Sequence, residues 1–563
     1  MDTIVSTNPL NPTDEERYAM FKKELKKTNR LEDFDNVIKL LGPSKDITEY
    51  APLRSLKGVK IGIIGGGVSG LASAFELRKL GADITIYEAE DHRIGGRIYT
   101  HYFDKNKKHY GELGAMRVPV SHETSWFYIN LFKLETLPFV QVNPNTFLWI
   151  RRTRTRNNPK DIQKYIYPLF DLSETEKNTP WNTLITYASN YFIKTMSPNE
   201  RTENLRILKE YSPLYNKYST LDTRCALTSL NLSESAIELI SSIDPFLGAL
   251  FYSANGETMQ GTYTLEFSNL YRIKGGMVNL PLAFYNSLKS DCPKEYKNIP
   301  SDALGKCEFK ANHRVTGIYK THEDNKTLIE YKNNNDSGYG FKSFDYVICT
   351  IPFSILREVT LNPGFSPKKM QAIREVTYEN SHKVYFYCKK RFWEEDMPYG
   401  GIKGGISSTD EAIQTIAYPS DHVYKKSYSL DEPGVLLAAY NLGLDSTRVG
   451  NMTSNNEIEF VKRSVERVHS LPYGFLEDLV TDYKSYNWNG APNFKGAFCI
   501  MAPWQKQLFA YDIIQPEYDD RVFFAGEHIS PTHGWIQGAL STARTAANSI
   551  AIANIKNKTV FEV

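Results

Sequence analysis

The sequence is poor in the features that mark several protein classes. Its six cysteines, Cys225, Cys292, Cys307, Cys349, Cys388 and Cys499, are scattered over 563 residues, and none stands in a Cys-x-x-Cys pair. Zinc binding and dithiol redox chemistry are therefore not indicated, and no metal is expected. Cys349 and Cys388 lie in apolar, strand-like runs and read as core residues. An excess of one charge is also missing: 67 basic side chains against 65 acidic leave +2. No global field recruits nucleic acid. The one local basic run, Arg151 to Arg156, reads as a solvated loop. No stretch of 18 apolar residues occurs, which excludes a membrane-spanning helix. Met1 to Arg17 is polar and lacks the basic-then-apolar pattern of a secretory leader. These absences predict a soluble cytoplasmic protein.

What is present is ordinary globular composition, 41% hydrophobic and 23% charged, on a chain long enough for two to four domains. Aromatic content is 13%. It suits an aromatic-lined pocket, though AT-rich coding bias explains it as well. Residues 13–41 have helical periodicity, with Asp14 as a candidate cap and Gly42-Pro43 as the stop. Helical patterns dominate from about 125 to 255. Strand patterns return at 308–351, with a turn-rich tip at Asn333 to Gly338, and again at 382–388 and 435–440. No internal repeat is visible.

The pattern changes abruptly at Val59. Val59 to Ile64 is a short apolar run suited to a strand buried on both faces of a parallel sheet. Gly65-Gly66-Gly67-Val68-Ser69-Gly70 follows, then a helix from Val68 to Leu80 closed by Gly81, then a strand from Ala82 to Tyr87 ending at Glu88. In this strand–helix–strand context the glycine motif is specific. Gly65 permits the tight turn, Gly67 lets a pyrophosphate reach the backbone, and Gly70 lets the helix pack on the sheet. The helix start at Val68 and Ser69 offers unpaired N–H groups to phosphate. Glu88, 18 residues past Gly70, suits both hydroxyls of an adenosine ribose and repels a 2′-phosphate, against NADP. Ala89 follows it at the adenosine end. Gly95-Gly96-Arg97 is a second glycine pair whose arginine can meet pyrophosphate charge.

This motif does not separate NAD from FAD. The C-terminus helps. Phe524-Ala525-Gly526-Glu527-His528 is a strand end with an acid, and Gly534-Trp535-Ile536-Gln537-Gly538-Ala539 opens a small-residue helix. A long cofactor with a polyhydroxy chain needs such a second set of contacts. The dinucleotide-binding half is then split across the chain.

Together these motifs resemble the flavin amine oxidase superfamily, and within it the L-amino-acid oxidases. The similarity runs from about 59 to 550 and is weakest through 155–255. It implies an α/β (α+β overall) fold: a split Rossmann-like FAD-binding domain, a mixed-sheet substrate domain and a helical insertion. The implied boundaries are 1–58 for an N-terminal helical extension; 59–98, 259–350 and 511–563 for FAD binding; 99–155 and 351–510 for substrate; and 156–258 for the helical domain. In Gly114-Ala115-Met116-Arg117 the family's stretch passes under the flavin, and its arginine pairs with the substrate carboxylate. That role needs a planar charged fork. Lys383, in His382-Lys383-Val384-Tyr385, matches a lysine that holds a water near flavin N5. Alternation puts Lys383 and Tyr385 on one face and His382 and Val384 on the other. The resemblance also implies that Glu527 contacts the ribityl chain, that the Gly534 carbonyl accepts from the substrate amine, and that Trp535 walls the pocket. It matches Tyr418 to a tyrosine that helps hold the carboxylate, and Val315 to an adenine-contacting backbone position. Ile536, Gln537 and Ala539 complete the expected cofactor contacts.

Two departures matter. No cysteine follows Cys499, so the FAD is expected to be non-covalent. Some members carry an active-site histidine in the helical domain, whereas residues 155–255 hold none. The expected reaction is oxidative deamination of an L-amino acid by O₂, with hydride leaving Cα for N5 from a neutral amine and no strong side-chain base. Lys383 would sit near the oxygen chemistry, and a homodimer or larger homo-oligomer is expected. An amide-forming L-amino-acid 2-monooxygenase, an amine or polyamine oxidase, and a non-catalytic FAD-bound scaffold are the alternatives.

Overall fold

The computed structural model describes residues 7–321, 325–333, 335, 338–395, 400–425 and 428–561. Its organising element is a five-stranded parallel sheet. In spatial order the strands are Cys307–Lys310, Asp83–Tyr87, Lys60–Ile64, Tyr346–Cys349 and Val522–Phe524. Consecutive strands of this sheet come from distant parts of the chain. Lys60–Ile64 has its sequence neighbour on one side and Tyr346–Cys349 on the other, so the crevice at its carboxyl end is a topological switch point. Ile61 and Ile63 are fully buried, as expected for a strand covered on both faces.

The helix Val68–Arg78 is buried along its whole length. It packs between the sheet, the helix Asn279–Lys289 and the last helix, Ile536–Phe561. Ala539, Ala543, Ala546 and Ala547 in that last helix are buried. Small side chains there let the two helix backbones approach closely.

A seven-stranded mixed sheet forms the second layer. Its order is Val480–Asn487, Ser381–Cys388, Gly434–Leu442, Thr415–Ala417, Ile406–Thr409, Phe147–Ile150 and Thr153–Arg156. A four-stranded sheet contains His313–Lys320, Thr327–Asn333 and Tyr339–Phe344. Of the turn-rich tip expected at Asn333 to Gly338, Asn334, Asp336 and Ser337 lie outside the described residues. Leu270–Ile273 pairs with Val118–Pro119 and Thr136–Phe139, which holds the stretch after Gly114 in place.

Three local expectations are corrected. The first helix, Asp14–Lys27, is capped by Thr13, not Asp14. The Thr13 hydroxyl accepts from Glu16 N–H at 3.3 Å and the Glu16 carboxylate accepts from Thr13 N–H at 2.8 Å, a capping box. Asp14 instead pairs with the buried Arg17. Residues 13–41 are not one helix, because the chain breaks before Phe34–Leu41. The basic run is not a solvated loop. It turns at Arg151-Arg152 into the edge strand Thr153–Arg156, and Arg154 and Arg156 lie 4.9 and 4.0 Å from the Phe147 ring. Cation–π contacts and bonds to the carbonyls of His469 and Gly400 bind those charges to the protein.

Through the helical insertion, Ser173, Ser197, Ser212, Asp222 and Ser233 each cap a helix start. The N-terminal extension is fastened to the site. Arg17 donates to Val120 O at 2.7 Å, and the Leu41 carbonyl accepts from Thr124 at 2.8 Å and Gln537 at 2.7 Å. Among the described residues no helix is long and apolar enough to cross a membrane.

Candidate active site

The glycine loop has separable roles. Gly65 sits at φ +107° and its N–H donates to Tyr87 O at 2.8 Å, closing the turn out of the strand. A Cβ at Gly70 would lie 2.1 Å from Gly65 O, so any side chain there separates helix from strand. A Cβ at Gly67 would meet only Gly96 Cα at 3.8 Å. That position borders open space wide enough for a ligand to reach the backbone. The helix beginning at Val68 has no side-chain cap, which leaves its first N–H groups for an anion. The Ser69 hydroxyl is buried without a partner at the same end. These are the features a pyrophosphate would satisfy.

Glu88 accepts from Gly66 N–H at 2.8 Å and Glu90 N–H at 2.9 Å. Burial pushes its carboxyl up. Ala89 lies between these contacts, and His313 N–H donates to Glu88 O at 2.8 Å. That bond sets the strand carrying Val315 beside Glu88.

The far half of the site is assembled from opposite ends of the chain. Arg97 Nη1 donates to Glu527 at 2.5 Å. Gly534 N–H reaches the same carboxylate at 2.9 Å and Cys499 N–H at 3.2 Å. Burial pushes Glu527 up, but Arg97, His533 and His528 outweigh it and hold the carboxyl below its ordinary range. Gly534 sits at φ +74°. Ile536 and Ala539 are buried at the start of the last helix. The Gln537 side chain is spent on structure, accepting from Ser125 N–H at 3.1 Å and donating to Leu41 O. Only its backbone is left for a cofactor.

The stretch Glu112 to Arg117 is pinned from the seven-stranded sheet. Lys383 Nζ donates to Gly114 O at 2.7 Å and Glu112 O at 3.0 Å, and lies 3.7 Å from Met116 Sδ. Tyr385 donates to Glu112 O at 3.2 Å and Trp488 to Leu113 O at 2.8 Å. A Cβ at Gly114 would lie 2.0 Å from Arg97 O. Ala115 N–H donates to the same Arg97 carbonyl at 3.1 Å. Lys383 is 2% exposed, and burial brings its ammonium down to about 7. Burial likewise pushes Glu112 up to about 7.

Arg117 lies beyond this stretch. Its guanidinium is buried between Phe139 at 5.7 Å and Phe267 at 5.6 Å, and Nη1 has no hydrogen-bond partner. Burial lowers its pKa, against the pull of Tyr440, Glu266 and Asp244. Trp535 packs against the same Phe267 ring. Its ring stands 5.0 Å from His122, edge to face, and 5.9 Å from Phe267.

Tyr418 does not join this group. Its hydroxyl bonds to Ser407 at 2.8 Å and His469 at 2.9 Å. It packs with Phe147 and Ile416, in a different cluster from its neighbour Ala417, which lies with Leu113 and Tyr385. The tyrosine in the pocket is Tyr440. It pairs with Lys383 across adjacent strands, its ring lies 4.4 Å from Lys383 Nζ, and the Phe246 ring packs against it at a tilt, 4.7 Å away. Sequence reading missed Tyr440, Glu266, Phe267 and His122. Only the strand register that sets Tyr440 opposite Lys383 marks it out.

The sequence profile of the "Flavin containing amine oxidoreductase" family matches residues 68–551. The chain belongs to that family. A chain with this fold and these motifs carries FAD, and the unfilled features at Gly67, Val68 and Ser69 fit its pyrophosphate. An L-amino-acid oxidase of Daboia russelii is 29% identical over 500 residues, covering 87% of this chain and 88% of its own. The L-amino acid oxidase bordonein-L of Crotalus durissus terrificus is 26% identical over 500 residues, covering 87% and 86%. Among solved structures, putrescine oxidase bound to putrescine superposes with a TM-score of 0.63 at 17% identity, over 87% of this chain and 98% of that one. Cyclohexylamine oxidase from Brevibacterium oxydans IH-35A gives 0.64 at 16% identity, over 89% and 99%. At those identities the likeness is one of fold.

Proposed function

We propose that this flavin amine oxidoreductase is an L-amino-acid oxidase, converting an L-amino acid, O₂ and water to the 2-oxo acid, ammonia and hydrogen peroxide. The observation that carries the reading is Arg117. A buried guanidinium with an unpaired Nη1 is costly unless a ligand anion completes it. The α-carboxylate is the anion that separates amino acids from simple amines. Tyr440, rather than Tyr418, is the hydroxyl placed to share that carboxylate. The Gly534 carbonyl accepts from the substrate nitrogen, and Trp535, Phe267 and Phe139 wall the site and exclude water.

Bound FAD, held without a covalent link, supplies the two-electron acceptor for the α-hydrogen and is regenerated by O₂. The protein's part is to orient Cα and to place charge where it develops. Lys383 donates to the Glu112 and Gly114 carbonyls in the stretch of backbone expected beneath the flavin, so its positive charge is available to oxygen reduction. The resulting imine hydrolyses to the oxo acid.

Product analysis tests this reading. Incubation with the twenty L-amino acids is expected to give oxo acid and peroxide in equal amounts for at least one. An amide with carbon dioxide would assign a monooxygenase. Peroxide from simple amines alone would assign an amine oxidase.

A further inference from the structure

The sequence leaves the active site without an evident proton acceptor, since residues 155–255 hold no histidine. An amino acid near neutral pH arrives as an ammonium, whose nitrogen lone pair is occupied. That proton must leave before the Cα–H bond can break with formation of C=N. We infer that Glu266 is the acceptor of this proton, which rests on the oxidase reading above.

The placement is specific. Glu266 follows the end of the helix Asn255–Thr264, where Leu265 turns at φ +51°. Its carboxyl group is buried, 7% exposed. It accepts from Gln260 Nε2 at 3.3 Å and from the Trp535 indole. Through Trp535 it is tied to the residue next to Gly534, where the substrate nitrogen is expected. Phe267, the next residue in the chain, lies over Arg117. Glu266 thus borders both ends of the amino-acid binding group, the carboxylate site and the amine site. A Cβ at Gly261 would lie 2.7 Å from Glu266 Oε1, so tight packing limits other positions for this side chain. Its own hydrogen bonds come from neutral donors, so none of them neutralises its charge.

The charged groups facing it are Arg117 and Glu257. Arg117 favours the carboxylate. Glu257 opposes it, but is itself bound to His533 at 3.0 Å. His122, across the Trp535 ring, is driven down to about 3 by burial and stays neutral. It therefore adds no charge near Glu266. Burial pushes Glu266 up to about 7. A group titrating near the working pH both accepts a proton and returns it to solvent readily.

The step balances simply. The substrate ammonium gives one N–H proton to the Glu266 carboxylate, leaving a neutral amine and a carboxylic acid. The freed lone pair is then available to form the C=N bond when the α-hydrogen is removed with its electron pair, the two-electron oxidation that bound FAD would supply. Arg117 and Tyr440 remain on the carboxylate throughout, so the substrate does not shift during the transfer.

The test is the pH dependence of anaerobic flavin reduction by an accepted L-amino acid, in the FAD-loaded enzyme and in Glu266→Gln. The wild-type rate is expected to rise through about pH 7 and level off. Glu266→Gln should be slower at pH 7 by roughly 10²-fold. It should recover as pH approaches the pKa of the free substrate ammonium, where substrate arrives already neutral. Glu266→Asp, with its flavin bound, should keep an acid limb. A Glu266→Gln profile parallel to wild type, or a Glu266→Asp enzyme with no limb, would overturn the inference. Absence of turnover with every L-amino acid would overturn the oxidase reading itself.

Discussion

Arg117→Ala is expected to cut amino-acid turnover sharply while the protein stays yellow. Arg117 stands outside the glycine loop and outside the Arg97–Glu527 contact that joins the two halves of the cofactor site. Its loss should therefore leave FAD bound. Truncating one partner of a buried charge pair costs about 2–5 kcal/mol. That corresponds to a fall in kcat/KM of roughly thirty-fold to several thousand-fold. Arg117→Lys keeps the charge but loses the planar fork, and should lie between the two. Arg117 feels Glu266 and Asp244 only at a distance and makes no direct ion pair with either, so the fold should tolerate the change. Steady-state assays with flavin content measured alongside separate lost binding from lost cofactor. Unchanged kcat/KM in Arg117→Ala would remove the carboxylate assignment.

Lys383→Met should slow the oxygen half of the cycle by roughly 10²–10³-fold, the cost of removing one preorganised charge from a transition state. Met has similar length and no charge to bury, and Lys383 is fully enclosed. The variant removes the Lys383 donor from the Gly114 carbonyl and one of two side-chain donors from the Glu112 carbonyl, which keeps Tyr385, so a modest loss of stability accompanies it. The pH signature has a definite sign. The ammonium form is the effective one, and burial brings its pKa to about 7. Wild-type reoxidation should then fall as pH rises through 7, whereas Lys383→Met should show no such limb. Stopped-flow mixing of reduced enzyme with O₂ reads this directly. Equal reoxidation rates in the two proteins would assign Lys383 a purely structural role.

The parts of the site that sequence exposes are those whose chemistry is local. The glycine loop is readable because the turn, the phosphate approach and the helix packing each demand a glycine within six residues, and Glu88 lies at a fixed distance beyond it. Arg117, Lys383 and Trp535 sit in short motifs that survive at low similarity. The parts that stay hidden depend on tertiary placement. Tyr440 lies in an apolar strand and Tyr418 directly follows one, and only the pairing of Gly434–Leu442 with Ser381–Cys388 puts Tyr440 over Lys383. Glu266 looks like any helix-end glutamate until burial and the Trp535 bond are seen. The basic run from Arg151 misleads for the same reason, because Phe147 and distant carbonyls engage its charges. In the helical insertion, short helices started by single Ser or Asp caps carry little periodicity, so the fold there is legible only as helical.

The central claim is that Arg117 makes this flavoenzyme recognise amino acids by their carboxylate. The most direct measurement mixes the FAD-bound protein anaerobically with an L-amino acid and, separately, with the amine left by its decarboxylation. The amino acid should bleach the flavin absorbance and the amine should not. Equal or faster bleaching by the amine would contradict it.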